Sequence, residues 1–160
     1  MSLNIYSTFA CSHQECATLI RTNGAKISYI IEGEPGIGKS SILKTLEKQM
    51  GDAYEYIYVD VPLKDIPDIA LSMPDHATQT TKAFINEIWK GKDLSKPKVI
   101  MLDEIFKGTP YVQLMMNRLL LEKTVGDYKL PENSIVFGTT NFATDGVGDK
   151  TNGHTNSRVA

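Results

Sequence analysis

Cysteine, tryptophan and an excess of charge of either sign are what this chain of 160 residues has least of. Its two cysteines, Cys11 and Cys16, make a disulfide framework not credible. No apolar run approaches the ~20 residues that a membrane-spanning helix needs. The opening stretch MSLNIYSTFACSHQE holds neither a basic segment nor a long apolar one, so no leader is read and a cytoplasmic setting is the default. With 17 Lys plus Arg against 19 Asp plus Glu, the net charge of −2 gives no electrostatic reason for an obligatory nucleic-acid partner. A partner held by a local basic patch stays open. At 41% hydrophobic and 22% charged, the composition is that of a globular chain with a real core, which excludes disorder and collagen. No repeat and no second-domain boundary is found, so residues 1–160 are read as one domain.

Apolar periodicity then alternates along the chain. A helix from Cys11 to Arg21 stops at Asn23-Gly24, and Ile27 to Ile31 reads as a buried strand running into Gly33. Ile42, Leu43, Leu46 and Met50 share one face of a helix from Lys39 to Met50, which Gly51 closes before the strand Tyr54 to Val61. Pro62, Pro67 and Pro74 break the next stretch into a connection with at most one short helix. Phe84, Ile85, Ile88 and Trp89 then predict a helix over Gln79 to Lys90, ahead of a strand at Val99 to Leu102. A helix from Pro110 to Leu121 buries Val112, Met115, Met116, Leu119 and Leu120, and the turn Gly126-Asp127-Tyr128 leads to the strand Ser134 to Thr139. Such alternation implies a mostly parallel α/β sheet. Residues from Asn141 to Ser157 are polar and small, and read as a loop or a frayed tail.

The segment Gly33-Glu34-Pro35-Gly36-Ile37-Gly38-Lys39-Ser40 satisfies GxxxxGK(S/T) between a predicted strand and a predicted helix. Glycines at 36 and 38 let the backbone curl so that successive N–H groups converge on an anionic oxygen, and the following helix adds its positive end, Ser41 included. Lys39 would reach the β- and γ-phosphates of a nucleotide, and the Ser40 hydroxyl would coordinate Mg²⁺. The alternative is a glycine-rich turn that holds nothing. Further on, the apolar run Val99 to Leu102 ends in Asp103-Glu104, which puts two carboxylates at the carboxyl end of a buried parallel strand, where such sheets bind ligands. Asp103 would hold the Mg²⁺ shell and Glu104 would polarise the attacking water as general base. A solvated acidic strand end is the competing reading. No NKxD or TKxD sequence occurs, and Asp145 to Gly148 fits DxxG only after the fourth strand, so a GTPase is disfavoured.

With GEPGIGKS, VIMLDE and FGTTN together, the chain resembles the AAA+ ATPases, and within them the MoxR-type branch. The resemblance covers most of the chain and includes the helix and hairpin-like turn between Gln113 and Pro131. It implies a three-layer P-loop NTPase fold with a mostly parallel central sheet flanked by helices. It also implies ATP and Mg²⁺ as ligands, ATP hydrolysis, a ring oligomer that is hexameric at full length, and a protein substrate or adaptor to be remodelled. Asn141 would be the sensor 1 amide facing the γ-phosphate or its attacking water; by its residue type alone it is a turn former. Arg158 is placed where a neighbouring subunit's arginine would be supplied, with a surface arginine as the plain alternative and Arg118 and Arg21 as rivals that match no family position. The chain reaches Ala160 without the family's fifth strand and helical lid, and is expected to stop short of that lid. Two other functions stay open: a nucleotide-gated binding module with negligible turnover, and a nucleic-acid motor or loader.

Smaller groupings have plainer readings. Cys11, His13 and Cys16 lack a fourth ligand for zinc and read as free thiols on a first helix. His76 and His154 read as solvated. Tyr54, Tyr56 and Tyr58 alternate along a strand, as cross-strand packing demands, and Lys90, Lys92, Lys96 and Lys98 read as a solvated basic loop.

Overall fold

A computed structural model describes residues 9–142 and the backbone of Arg158–Val159. Helix α1 (His13–Asn23) begins with a capping box in which Ser12 and Glu15 satisfy each other's backbone N–H groups. Strand β1 (Tyr29–Gly33) leads through a tight loop into α2 (Ser41–Met50), and β2 (Glu55–Asp60) follows. A short helix α3 (Ile66–Ile69) precedes the hairpin β3 (Ala70–Asp75) and β4 (Thr80–Ile85). Then come β5 (Lys98–Asp103), α4 (Pro110–Glu122), the small hairpin β6 (Thr124–Val125) and β7 (Tyr128–Lys129), β8 (Ile135–Asn141) and β9 (Arg158–Val159). The main sheet runs β2-β5-β8-β1-β9, with the first four strands parallel. This is the mostly parallel α/β sheet that the alternation of elements predicts, and it agrees with the P-loop NTPase fold that the resemblance implies.

β5 lies inside the sheet between β2 and β8, and its residues divide between two cores because successive side chains point to opposite faces. Val99 and Met101 join Ala17, Ile20, Ile42, Leu46 and Phe137 beneath α1 and α2. Ile100 and Leu102 join Trp89, Val112, Met116, Leu119 and Val136 beneath α4. Each such fully buried side chain contributes roughly 1.5–3 kcal/mol relative to exposure. A strand buried on both faces must be apolar throughout, which is why Val99 to Leu102 is unbroken.

Four expectations are corrected. The predicted helix over Gln79 to Lys90 is instead β4, with Asn86 capping a single 3-10 turn, Glu87–Trp89. Thr80, Thr81 and Ile85 are β-branched and pair with β3, so the helical spacing joined an exposed strand residue, Phe84, to a buried turn residue, Trp89. The chain is read as lacking a fifth strand, yet the edge of β1 is not bare. Arg158 and Val159 pair with it antiparallel, opposite Glu32 and Ile31, where unpaired N–H and C=O groups would otherwise face solvent. Cys11 and Cys16 are not free thiols: they form a disulfide that bridges the start of α1. The polar stretch after Phe142, with Asp145 to Gly148 and His154, lies outside the described residues up to Ser157. No helix of the described residues is long and apolar enough to cross a membrane.

The fourth correction concerns Lys98, which is fully buried at the head of β5, where its ammonium meets the Glu55 carboxylate and the carbonyl of Asp93. That hydrogen bond holds the Glu55 carboxyl below its usual range, against the opposing effect of desolvation. A lowered folded-state pKa means that this stabilisation is present above the unfolded value and is lost as pH falls through the folded one. Glu55→Ala leaves the buried ammonium without its counter-charge and is expected to cost about 3–5 kcal/mol. Urea titration of the variant checks this; a loss under about 1 kcal/mol would show the pair to be dispensable.

Candidate functional site

The carboxyl ends of β1, β5 and β8 meet at one edge of the sheet. Register places Gly33 beside Asn141 and Leu102 beside Gly138, so the glycine-rich loop, the acidic pair and the amide are neighbours by strand pairing. Gly138 permits a close approach: a Cβ there would stand 3.3 Å from Ile105 Cδ1, and Ile105 follows Glu104 directly. In the loop itself Gly36 and Gly38 have φ of 82° and 90°, a left-handed backbone that L side chains rarely adopt.

Lys39 is 8% exposed. Its Nζ donates to the carbonyls of Gly33 (2.9 Å) and Glu34 (2.8 Å) and to Asn141 Oδ1 (2.8 Å). Burial pushes its pKa down, while the carboxylates of Glu104 and then Asp103 oppose that shift. The Asn141 amide in turn donates through Nδ2 to Glu104 Oε1. Glu104 sits just past β5 with φ of 55°, an uncommon conformation for a residue with a side chain, and it turns the carboxylate back across the strand ends. Lys107 Nζ lies 2.9 Å from Glu104 Oε2, yet that oxygen accepts no aligned hydrogen bond. Lys39, Asn141 and Glu104 thus form one continuous polar chain.

Asp103 is held from two sides. Thr139 on β8 donates its hydroxyl to Oδ1, and Tyr58 on β2 donates its phenol to Oδ2 at 2.6 Å. The carboxylate beside it pushes the Tyr58 phenol well above its usual range, so it remains a donor. Ser40 caps α2 without a side-chain capping bond and is exposed. Ser41 differs, donating to the Gly38 carbonyl (2.6 Å) and lying 2.9 Å from His13 Nε2, which ties α1 to the loop. Glu34, Pro35 and Ile37 are exposed on the outer side of the loop.

The structure therefore brings together Gly33 to Ser41, Asp103, Glu104 and Asn141. Arg158 lies on the far edge of β1, opposite Glu32, and its side chain is outside the described residues. Sequence reasoning does not reach Tyr58, Thr139, Lys107 and His13 as site residues. Thr139 has a usable signal, since the period of two puts it on the same strand face as Asn141. For Tyr58 the alternation of tyrosines points to packing, and only the pairing of β2 with β5 shows what its hydroxyl reaches.

A curved backbone with glycines at positive φ, a buried ammonium, an uncommitted serine hydroxyl and hard carboxylate oxygens fit a phosphate chain with Mg²⁺. No curated protein matches the chain. A solved structure named as a "putative ATPase" from Cytophaga hutchinsonii superposes over 86% of the chain at 22% identity and a TM-score of 0.47, and the chain spans 40% of that protein's length. The AAA domain family, dynein-related subfamily, matches residues 28–134. By that match the chain belongs to the AAA domain family.

Proposed function

We propose that the chain binds ATP with Mg²⁺ at Gly33 to Ser41 and hydrolyses it within a ring-shaped, MoxR-like oligomer that remodels a protein partner. The observation that carries this reading is the polar chain from Lys39 through Asn141 to Glu104, set at the carboxyl ends of parallel strands beside Asp103. Backbone N–H groups of the loop and the N-terminus of α2 would receive the phosphates, with Lys39 as their fixed cation. Ser40 and Asp103 would hold Mg²⁺, which supplies charge neutralisation on the phosphate oxygens. Glu104 would accept the proton of the attacking water, and Asn141 would orient that water. Arg158, from a neighbouring subunit, would stabilise the charge that develops on the γ-phosphoryl oxygens.

The polar chain also suits a second reading, in which nucleotide only orders the loops, because Asn141 occupies one oxygen of Glu104. Turnover separates the two. Hydrolysis per chain should rise with protein concentration, since each completed site needs a neighbour. Arg158→Ala and Glu104→Gln chains should each be nearly inactive alone and recover activity on mixing, because some intact Glu104 sites then face an intact Arg158. A co-assembled mixture that stays silent removes Arg158 from the site, and a concentrated parent chain with no turnover favours the binding module.

A further inference from the structure

Asp103 is gripped by hydroxyl groups from both strands that flank β5. On the β8 side Thr139 Oγ1 donates to Oδ1, and on the β2 side Tyr58 OH donates to Oδ2 at 2.6 Å. The β2 contact follows from register. Tyr58 pairs with Met101 and Asp60 with Asp103, so Tyr58 and Asp103 are diagonal neighbours on one sheet face, within reach of a long aromatic side chain. Thr139 is fully buried, while Tyr58 is 46% exposed. A core tyrosine would bury its ring, so packing alone does not account for Tyr58 at this position.

The chemistry of the two donors is informative. A lysine or arginine on each oxygen would cancel the carboxylate's charge and compete with a bound cation. Neutral hydroxyls instead fix the plane of the carboxylate, leave its full negative charge, and use only one acceptor site on each oxygen. Partners of this kind orient metal-holding carboxylates in other sites. We propose that Tyr58, with Thr139, is a positioning residue that presents the Asp103 carboxylate to Mg²⁺, an inference that rests on the Mg²⁺-ATP reading of the site. Tyr58 touches neither nucleotide nor reacting atoms; it acts through Asp103.

The test is titration calorimetry of a nonhydrolysable ATP analogue on the parent, Tyr58→Phe and Asp103→Asn, each in EDTA and across a Mg²⁺ series. Tyr58→Phe removes one oxygen and keeps the ring. It should leave affinity in EDTA within about twofold of the parent and lower the gain in affinity that saturating Mg²⁺ brings about tenfold, the scale typical of such outer partners. Asp103→Asn should abolish the gain. The readout is the ratio of affinities with and without Mg²⁺, because a damaged fold lowers both together. If Tyr58→Phe keeps the parent's ratio while Asp103→Asn loses it, Mg²⁺ is held at Asp103 and Tyr58 has no part in presenting it. If Asp103→Asn also keeps the ratio, the metal reading of Asp103 fails first and takes the inference with it.

Discussion

Glu104→Gln is expected to bind ATP within about threefold of the parent and to hydrolyse it at least about 100-fold more slowly, the lower end of what a positioned general base contributes. Glutamine has the same shape, and its amide oxygen can still accept the hydrogen bond from Asn141 Nδ2, so the polar chain to Lys39 survives the change. What is lost is the ability to take a proton. The Glu104 backbone keeps its place without the carboxylate, because its N–H donates to Thr139 Oγ1 (3.3 Å) and its carbonyl accepts from the Lys107 N–H (2.9 Å). Calorimetry with a nonhydrolysable analogue and a phosphate-release assay on the same preparation separate the two quantities. A variant that hydrolyses ATP at the parent's rate would overturn Glu104 as the base, and the unusual φ of 55° would then need another explanation.

Lys39→Ala is expected to act on the other quantity, weakening ATP binding about 10–150-fold, which corresponds to the roughly 1.5–3 kcal/mol of a charged hydrogen bond. Lys39 Nζ is 2.8–2.9 Å from three acceptors, the carbonyls of Gly33 and Glu34 and the Asn141 side chain, so the ammonium already stands among the groups that would surround a phosphate chain. Exchanging those neutral acceptors for phosphate oxygens gains charge attraction in a partly buried setting. Lys39→Arg should not restore affinity, since a planar fork cannot replace a compact ammonium within a turn this tight. Titration calorimetry checks both variants, with thermal melts to show that the fold is kept. Affinity in Lys39→Ala equal to the parent's would mean that the phosphates are not held at this loop.

Elements built on local patterns are legible in the residues themselves. Val99 to Leu102 has to be a strand buried on both faces, and Gly33 to Ser40 has to be a turn, because glycine spacing and apolar runs constrain the backbone wherever the chain goes. The acidic pair follows from its position at a strand's carboxyl end. Asn141 is legible only through the resemblance, since its own residue type says no more than turn former. The segment from Gln79 to Lys90 misleads because Phe84, Ile85, Ile88 and Trp89 have helical spacing, while pairing with Ala70–Asp75 supplies the hydrogen bonds that decide for a strand.

By itself, then, the sequence determined the glycine-rich turn from Gly33 to Ser40, the carboxylates at the end of β5 and most of the alternating elements, since each depends on backbone conformation and burial over a few neighbouring residues. Only the tertiary structure decided which groups share the site. Lys39 and Asn141 are 102 residues apart, and Tyr58 and Asp103 are 45 apart; strand register alone brings each pair into contact. The same holds for Lys98, whose run of neighbouring lysines suggests a solvated loop and whose partner, Glu55, arrives from another strand. Long-range pairing is decided by the total burial and hydrogen bonding of the whole sheet, and no short window of residues contains that sum.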